Sequence, residues 1–374
     1  MKRQPYIFSA SIGHGHNQAA KALHYAFTKK GYEPNFIDTF HAISPKLHKF
    51  MLTSYLQMLK LSPVLWRKIY FYAEDHPLFL ALDRFGSFFS ERIYTMLLEH
   101  RCNFMISTHP FVTAFLAKMK QKKGLNLPLY TVITDFVLHP AYVREEIDGY
   151  FTASADTNEF ASLYNVPAER FFSTGIPFVT HPCLEKTKWK ARYDLHLDHN
   201  KKILLIAGGG IGLTNYPQVI RALETLREPI QIVCMTGHNM EAKQQLLKQK
   251  SKHDVKAVEF TDQFLLYLKA SDAVLSKAGG LTMAESLACE TPIVIFQPVP
   301  GHEEHNAKFL TENGAAVHVN DYEGLSTTIE SVLYHRRQNE KMKKKARVLK
   351  RPNAANQIVD EILLLFEQQE QAAH

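Results

Sequence analysis

The chain has 374 residues, more than one hydrophobic core usually organises, so two domains of roughly 150–200 residues each are expected. Apolar residues make up 45% and charged residues 22%, which excludes a disordered or collagen-like chain, and 44 Lys and Arg against 37 Asp and Glu give a net charge of +7 that favours anionic partners. Four scattered cysteines without a C-x-x-C pair argue against a zinc site or a disulfide scaffold, and the lack of a signal-peptide core or of an apolar run of about 18 residues points to the cytoplasm.

Short apolar runs bounded by Gly, Pro and Ser alternate with segments of helical period, the pattern of βαβ units and parallel sheets. Strands are predicted over 6–10, 35–38, 104–108, 129–134 and 149–152, with a helix over 19–30. The segment 39–73 breaks the rhythm: it contains no acid, and Lys46, Lys49, Lys60, Arg67 and Lys68 interleave with Phe50, Tyr55, Trp66, Tyr70, Phe71 and Tyr72. That is a basic, aromatic, helical insert. Gly175 to Pro182, with two prolines and no period, suits a linker. Strands follow over 203–207, 231–235, 255–260, 273–276, 293–296 and 316–319, with helices over 217–227, 241–250 and 283–288. A tract of Lys and Arg over 335–351 reads as a solvated helix, and Pro352 closes it before an amphipathic helix over 354–368.

The chemistry concentrates where strands run into helices. Gly13-His14-Gly15-His16 follows the first strand, where unpaired N–H groups and the positive end of a helix dipole accept anions; His16 there has its neutral form favoured and is fit to take a proton, or else simply binds a backbone carbonyl. Thr134-Asp135-Phe136-Val137-Leu138-His139 offers a carboxylate and a histidine four apart, for a proton relay or for capping turns. Gly208 to Gly212 lacks the Lys-Ser/Thr of a Walker loop and reads as a diphosphate approach or as a tight turn. In Ser276-Lys277-Ala278-Gly279-Gly280-Leu281-Thr282-Met283-Ala284-Glu285, Thr282 starts a helix; Glu285 either closes a capping box with it or accepts two hydrogen bonds from a ribose diol while Gly279 and Gly280 present N–H groups to phosphate. The polar loop before the next helix offers His302, Glu303 and Asn306 to the hydroxyls of an attached sugar.

Taken in order, these motifs resemble glycosyltransferase family 28, and most closely its diacylglycerol glycosyltransferase branch of monogalactosyldiacylglycerol synthases and bacterial processive diacylglycerol glucosyltransferases. The resemblance implies an α/β chain of the GT-B fold: two Rossmann-like domains facing a cleft, residues 1–176 for the lipid acceptor with the insert 39–73, 177–352 for the UDP-sugar, and 353–374 packing back on the first. It implies an inverting transfer of a hexose from a UDP-sugar to diacylglycerol. Gly15, Gly209, Gly210, Gly279, Gly280, Leu281 and Thr282 would lie along the donor, with Glu285 on the ribose and the backbone at Phe260 on the uracil. His302, Glu303 and Asn306 would face the hexose. The family usually has glutamine where this chain has His302, so the sugar stays open between glucose, galactose and N-acetyl forms. His16 would be the candidate general base or a phosphate-side contact, with Asp135 beside the acceptor and His139 a further catalytic candidate.

No Asp-x-Asp occurs, and helix N-termini can hold a departing diphosphate, so no metal and no other cofactor are expected. Lys60, Trp66, Arg67 and Lys68 would rest on an anionic membrane surface, attaching the protein peripherally to the inner face of the cell membrane, and no nucleic-acid partner is expected. Two alternatives share the architecture, a UDP-N-acetylglucosamine 2-epimerase and the lipid-linked N-acetylglucosaminyltransferase of peptidoglycan synthesis.

Overall fold

The structure, a computed structural model, describes residues 4–11, 14–75, 90–98, 102–153, 158–210, 212 and 214–372, with some side chains within helices, among them those of His14, Tyr55 and Lys60, outside the described set. The chain forms two compact units. The first comprises Met1–Val179, Pro300–His302 and Asn353–His374, and the second Thr180–Val299 and Glu303–Pro352.

The first unit is built on six parallel strands in the order β2-β1-β3-β4-β5-β6: β1 (Pro5–Ser9), β2 (Asn35–Asp38), β3 (Phe104–Ser107), β4 (Leu129–Val132), β5 (Gly149–Thr152) and β6 (Phe171–Ser173). β1, β3 and β4 are buried along their whole length because both faces of the sheet are covered, and their polar members Ser9, Ser107 and Thr131 are enclosed with the rest. Ile7, Phe104, Ile106 and Tyr130 meet α1 (His14–Lys29) and α16 (Ala354–Ala372) on one side; Tyr6, Phe8, Met105 and Leu129 meet Phe115 and Leu116 of α6 (Pro110–Lys123) on the other. α16 therefore docks on the first sheet with Ile358, Val359, Ile362 and Phe366, each burial contributing about 1.5–3 kcal/mol, and Lys30 pairs with Asp360 at 2.5 Å. β6 has no counterpart among the predicted strands. Three residues cannot show a period, and the strand is fixed by ring stacking of Phe171 on Tyr150 and Phe172 on Phe151, at 4.6 and 5.3 Å. α1 also begins five residues before the predicted helix, since its first turn is polar and carries no apolar repeat.

The segment 39–73 forms α2 (Thr39–Ile43), α3 (Pro45–Leu61) and α4 (Pro63–Asp75), the last two joined at Ser62. Helical residues 90–98, α5, and α7 (Asn158–Leu163) complete the unit as described.

The second unit holds six more parallel strands, β12-β11-β10-β7-β8-β9: β7 (Ile203–Ala207), β8 (Gln231–Gly237), β9 (Asp254–Glu259), β10 (Ala273–Ser276), β11 (Ile293–Phe296) and β12 (Ala316–Val319). Its helices are α8 (Lys188–Asp194), α9 (Tyr216–Leu223), α10 (Met240–Lys248), α11 (Phe264–Ala270), α12 (Gly280–Ala288), α13 (His302–Glu312), α14 (Glu323–Tyr334) and the basic α15 (Arg336–Leu349). Asp272, just before β10, fastens α8 to the sheet: it accepts from Arg192 at 2.7 Å, Lys188 at 2.8 Å and the Ile203 N–H at 2.8 Å.

Both sheets reverse their strand order once, between β1 and β3 and between β7 and β10. At such a reversal the connections leave in opposite directions and open a crevice beyond the carboxyl ends of the strands, where ligands of open α/β sheets bind.

Candidate active site

In the first unit the reversal brings together loops that are far apart in sequence. His16 sits in the first turn of α1, after β1; Thr108 and His109 follow β3; Thr134 and Asp135 follow β4. The Thr108 carbonyl lies 2.7 Å and the Thr134 hydroxyl 2.9 Å from His16 Nδ1. A carbonyl only accepts, so the ring proton sits on Nδ1 and the lone pair of the neutral ring is on Nε2. Burial lowers the pKa of His16; the negative charge of Asp135 and the Thr108 carbonyl act against that, and the charge of His302 adds to it. Desolvation, more than the helix dipole expected from the sequence, keeps this ring neutral. The reading of His16 as a ring bound to a backbone carbonyl is what the structure holds, and that bond leaves the lone pair of the neutral ring on Nε2.

Gly15 stands beside His16 in the same helical turn, whereas Gly13 lies outside the described residues. Asp135 biases the charge of His16. His139 acts locally: its Nδ1 accepts the Ala141 N–H at 3.1 Å, capping the turn Pro140–Tyr142, and its ring lies 4.9 Å from that of Tyr70. The sequence reading assigned nothing to His109, which proves to be fully enclosed, with its ring 4.4 Å from the His16 ring. Its signal was present in Ser107-Thr108-His109-Pro110, a strand end followed by a capping residue and a proline at the first helical position.

In the second unit the loops after β7 and β10 flank the reversal. Gly208 and Gly212 are there for space: a Cβ would strike the Tyr216 hydroxyl at one and the Thr236 carbonyl at the other. Gly209 is exposed, and a Cβ on it would lie 4.0 Å from Lys277 Cε, so the two loops touch through Lys277. The Gly210 carbonyl accepts the His238 N–H at 3.2 Å. After β10 the chain passes through Ala278 at φ +77°, a left-handed conformation that costs a non-glycine residue about 1–2 kcal/mol, and Asn306 Nδ2 holds its carbonyl at 3.1 Å. α12 then begins at Gly280, capped by Gly279 without any side-chain hydrogen bond, whereas α8, α9 and α10 are capped by Thr187, Asn215 and Asn239. The N–H groups of Gly280, Leu281 and Thr282 form an open, positive helix end.

This corrects the expected helix start at Thr282 and removes the capping box. Thr282 lies in the third position of the helix, where its carbonyl accepts the Ser286 hydroxyl at 2.7 Å. Glu285 stands about one turn further on, and burial alone pushes its carboxyl up to about 8. Without a ligand it is therefore mostly protonated at neutral pH. Glu303 and Asn306 are buried and shape the loop: Glu303 accepts the Val299 N–H at 2.7 Å and lies 3.8 Å from the Lys277 ammonium. His302 opens α13. Phe260 is exposed, its ring stacked at 4.7 Å on His238 and its N–H donated to the Gly237 carbonyl at 3.0 Å, so the N–H expected near the uracil is already engaged. Among the described residues, no group of three or more His, Cys, Asp or Glu side chains is placed to hold a metal ion.

In α3 and α4, Phe50, Leu61, Val64, Leu65 and Tyr72 are exposed large apolar side chains, and Arg67 and Lys68 are exposed among them. Trp66 is half-buried and donates its indole N–H to the Pro300 carbonyl at 3.1 Å, while the side chain of Lys60 lies outside the described residues.

Two parallel six-stranded sheets, each flanked by helices and reversing its strand order once, define the GT-B fold of two Rossmann-like domains. Residues 16–178 match the family described as monogalactosyldiacylglycerol (MGDG) synthase, and residues 203–359 match the glycosyltransferase family 28 C-terminal domain. The chain is 30% identical over 367 residues to a processive diacylglycerol β-glucosyltransferase of Bacillus cereus strain B4264, covering 96% of this chain and 92% of that one, and 29% identical over 360 residues to its namesake from Bacillus cytotoxicus, with the same coverage. Among solved structures, Acinetobacter baumannii MurG superposes with a TM-score of 0.62 at 17% identity over 96% of this chain and 99% of that one. The calicheamicin glycosyltransferase CalG4 does so with 0.64 at 14% over 98% of each chain. The chain belongs to glycosyltransferase family 28, in its diacylglycerol glycosyltransferase branch.

Proposed function

We propose that the protein transfers a hexose from a UDP-sugar to the hydroxyl of a membrane lipid such as diacylglycerol, with inversion at the anomeric carbon and without a metal ion. One observation carries this reading: each sheet reversal presents the group that one half of the reaction needs, a neutral histidine with a bare nitrogen in the first unit and an uncapped helix end followed by a carboxyl in the second. The names of the Bacillus relatives support the lipid acceptor and the glucosyl group.

In this mechanism the acceptor hydroxyl gives its proton to His16 Nε2 as its oxygen forms a bond to the sugar C1. The bond from C1 to the diphosphate oxygen breaks, and its electron pair leaves with UDP. Attack from the face opposite the leaving group inverts the centre. The N–H groups of Gly280, Leu281 and Thr282, with the Lys277 ammonium, meet the charge that grows on the diphosphate. Glu285 ionises as it accepts hydrogen bonds from the ribose diol. Asp135 stabilises the imidazolium formed at His16. The exposed apolar and basic side chains of α3 and α4 rest on an anionic leaflet and give peripheral attachment at the inner face of the membrane. In keeping with this, no helix among the described residues is long and apolar enough to cross a bilayer.

The test is a panel of UDP-glucose, UDP-galactose and UDP-N-acetylglucosamine with vesicles containing diacylglycerol, lipid products being resolved by mass spectrometry and their anomeric configuration by NMR. Hexosyl-diacylglycerol of inverted configuration, formed equally with EDTA present, is expected. Epimerised UDP-sugar without any lipid product, or activity lost to EDTA and restored by a divalent metal, would count against the reading.

A further inference from the structure

His109 is held more firmly than a helix cap requires. Its carbonyl accepts the Ser107 hydroxyl at 3.2 Å, the Thr113 hydroxyl at 3.1 Å and the Thr113 N–H at 2.9 Å. Its ring is packed edge-on against Phe40 at 6.3 Å and beside Phe111 at 5.3 Å. Its Nδ1 accepts the Phe111 N–H at 3.2 Å. That bond fixes the tautomer, because an accepting Nδ1 carries no proton and the neutral ring must carry it on Nε2. Burial, and then the charges of His16 and His302, keep the ring from taking a second proton.

The two adjacent rings are thus locked in opposite tautomers. His16 has its proton on Nδ1 and a lone pair on Nε2; His109 has its lone pair on Nδ1 and a proton on Nε2. The ring centroids are 4.4 Å apart and the planes inclined by 59°, so the two imidazoles stand next to each other at the sheet reversal. A hydroxyl is a donor and an acceptor at one atom, and this pair is complementary to both of its roles.

We infer that His109 is a second catalytic residue, whose Nε2–H donates a hydrogen bond to the attacking hydroxyl oxygen of the acceptor and so aims that hydroxyl's own proton at His16 Nε2. This rests on the reading of His16 as the base. His109 keeps its proton throughout: the hydroxyl proton passes to His16, the oxygen bonds to C1 and the diphosphate departs with the electron pair. An alcohol fixed from both sides presents one lone pair to C1. A neutral His109 donates without adding a positive charge that would weaken the neighbouring base.

Two substitutions separate this role from capping. Asn at 109 keeps the acceptor that caps α6 and is among the best residues for that position, but it has no N–H at the place of Nε2. Gln at 109 returns an N–H donor near that place at the expense of the cap. With full-length protein, UDP-glucose and diacylglycerol vesicles, kcat of His109→Asn is expected to fall on the order of 10²-fold, the loss typical of one oriented donor, with UDP affinity unchanged and a melting temperature above that of His109→Gln. His109→Gln is expected to melt lower yet turn over faster than His109→Asn. Full turnover in His109→Asn, or turnover that follows melting temperature across both variants, overturns the inference. His16→Ala, run alongside, tells which reading has failed: full turnover in it as well as in His109→Asn removes the base along with the donor, whereas full turnover in His109→Asn alone removes only the donor.

Discussion

The two sheet reversals solve different problems with different materials. In the first unit the proposed groups are imidazoles, one contributed after β1 and one after β3, and their protonation is set by carbonyls, an amide N–H and burial drawn from three strands. In the second, the proposed groups come from the single stretch Lys277 to Glu285, its helix-end N–H groups and one carboxyl, and the following loop acts as a brace through Glu303 and Asn306. A proton must be handled by a ring whose tautomer is controlled, which takes many partners. A diphosphate needs only dipoles pointing the same way, which one helix end supplies.

If that division holds, the two halves should break independently. The largest effect belongs to His16→Ala: turnover with UDP-glucose should fall about 10²–10⁴-fold, the range for a lost general base, while calorimetry finds UDP affinity within about twofold of the parent. A parallel loss of UDP affinity would mean that the first unit helps hold the donor. Glu285→Ala should do the reverse, weakening UDP binding by about 1.5–3 kcal/mol, or roughly 10- to 100-fold, through the loss of hydrogen bonds to an ionised group. Glu285→Gln sharpens the point. It removes a carboxyl that burial makes costly to ionise, so the ligand-free variant should melt no lower than the parent at pH 8.5 even though it binds UDP less well.

The same contrast explains what could be read from the sequence. The stretch from Ser276 to Glu285 is contiguous, so its glycines, its helix start to within a turn and its carboxyl were all legible. The central strands were legible too, because a sheet covered on both faces writes itself as mostly apolar runs, whereas the three residues of the edge strand β6 depend on partners in β5. For His109 the sequence signals only a helix cap before Pro110; its place beside His16 exists because β1 and β3 are neighbours, which nothing local announces. Glu303 and Asn306 were placed in the right loop, but what they touch, the Val299 N–H and the Ala278 carbonyl, is decided by the left-handed turn at Ala278, which an alanine does not announce.

A smaller effect separates the units by pH. Glu285 is raised to about 8 in the free protein, and under the proposed ionisation against the ribose diol UDP binding should release a proton and weaken close to tenfold per unit as pH falls below 8. Calorimetry in buffers of different ionisation enthalpy measures that release directly, and Glu285→Gln should abolish it. His16 is shifted the other way: burial, helped by His302 and opposed by Asp135 and the Thr108 carbonyl, lowers it, with His109 packed beside it. Its protonation should therefore cut kcat at saturating donor only below the ordinary histidine range. A single acid limb shared by UDP affinity and kcat would erase the distinction.

The smallest expected effect concerns the surface that α3 and α4 present. Val64, Leu65, Lys68 and Tyr72 recur at spacings that share one side of α4, and Phe50 and Leu61 add exposed apolar surface on α3. Trp66 is a poor probe of this surface, because its indole N–H is bound to Pro300 and its loss would disturb packing. Leu65→Glu with Lys68→Glu is cleaner, since both side chains are exposed. Each lysine near an anionic leaflet contributes about 1 kcal/mol, or about fivefold, so the double variant, which loses one and gains two carboxylates, should bind phosphatidylglycerol vesicles more than about fivefold more weakly in sedimentation, with the gap to the parent narrowing as salt is raised. UDP affinity, set entirely within the second unit, should not change. Equal sedimentation of the two proteins at low salt would leave α3 and α4 without a membrane role, and their apolar face would then need another explanation.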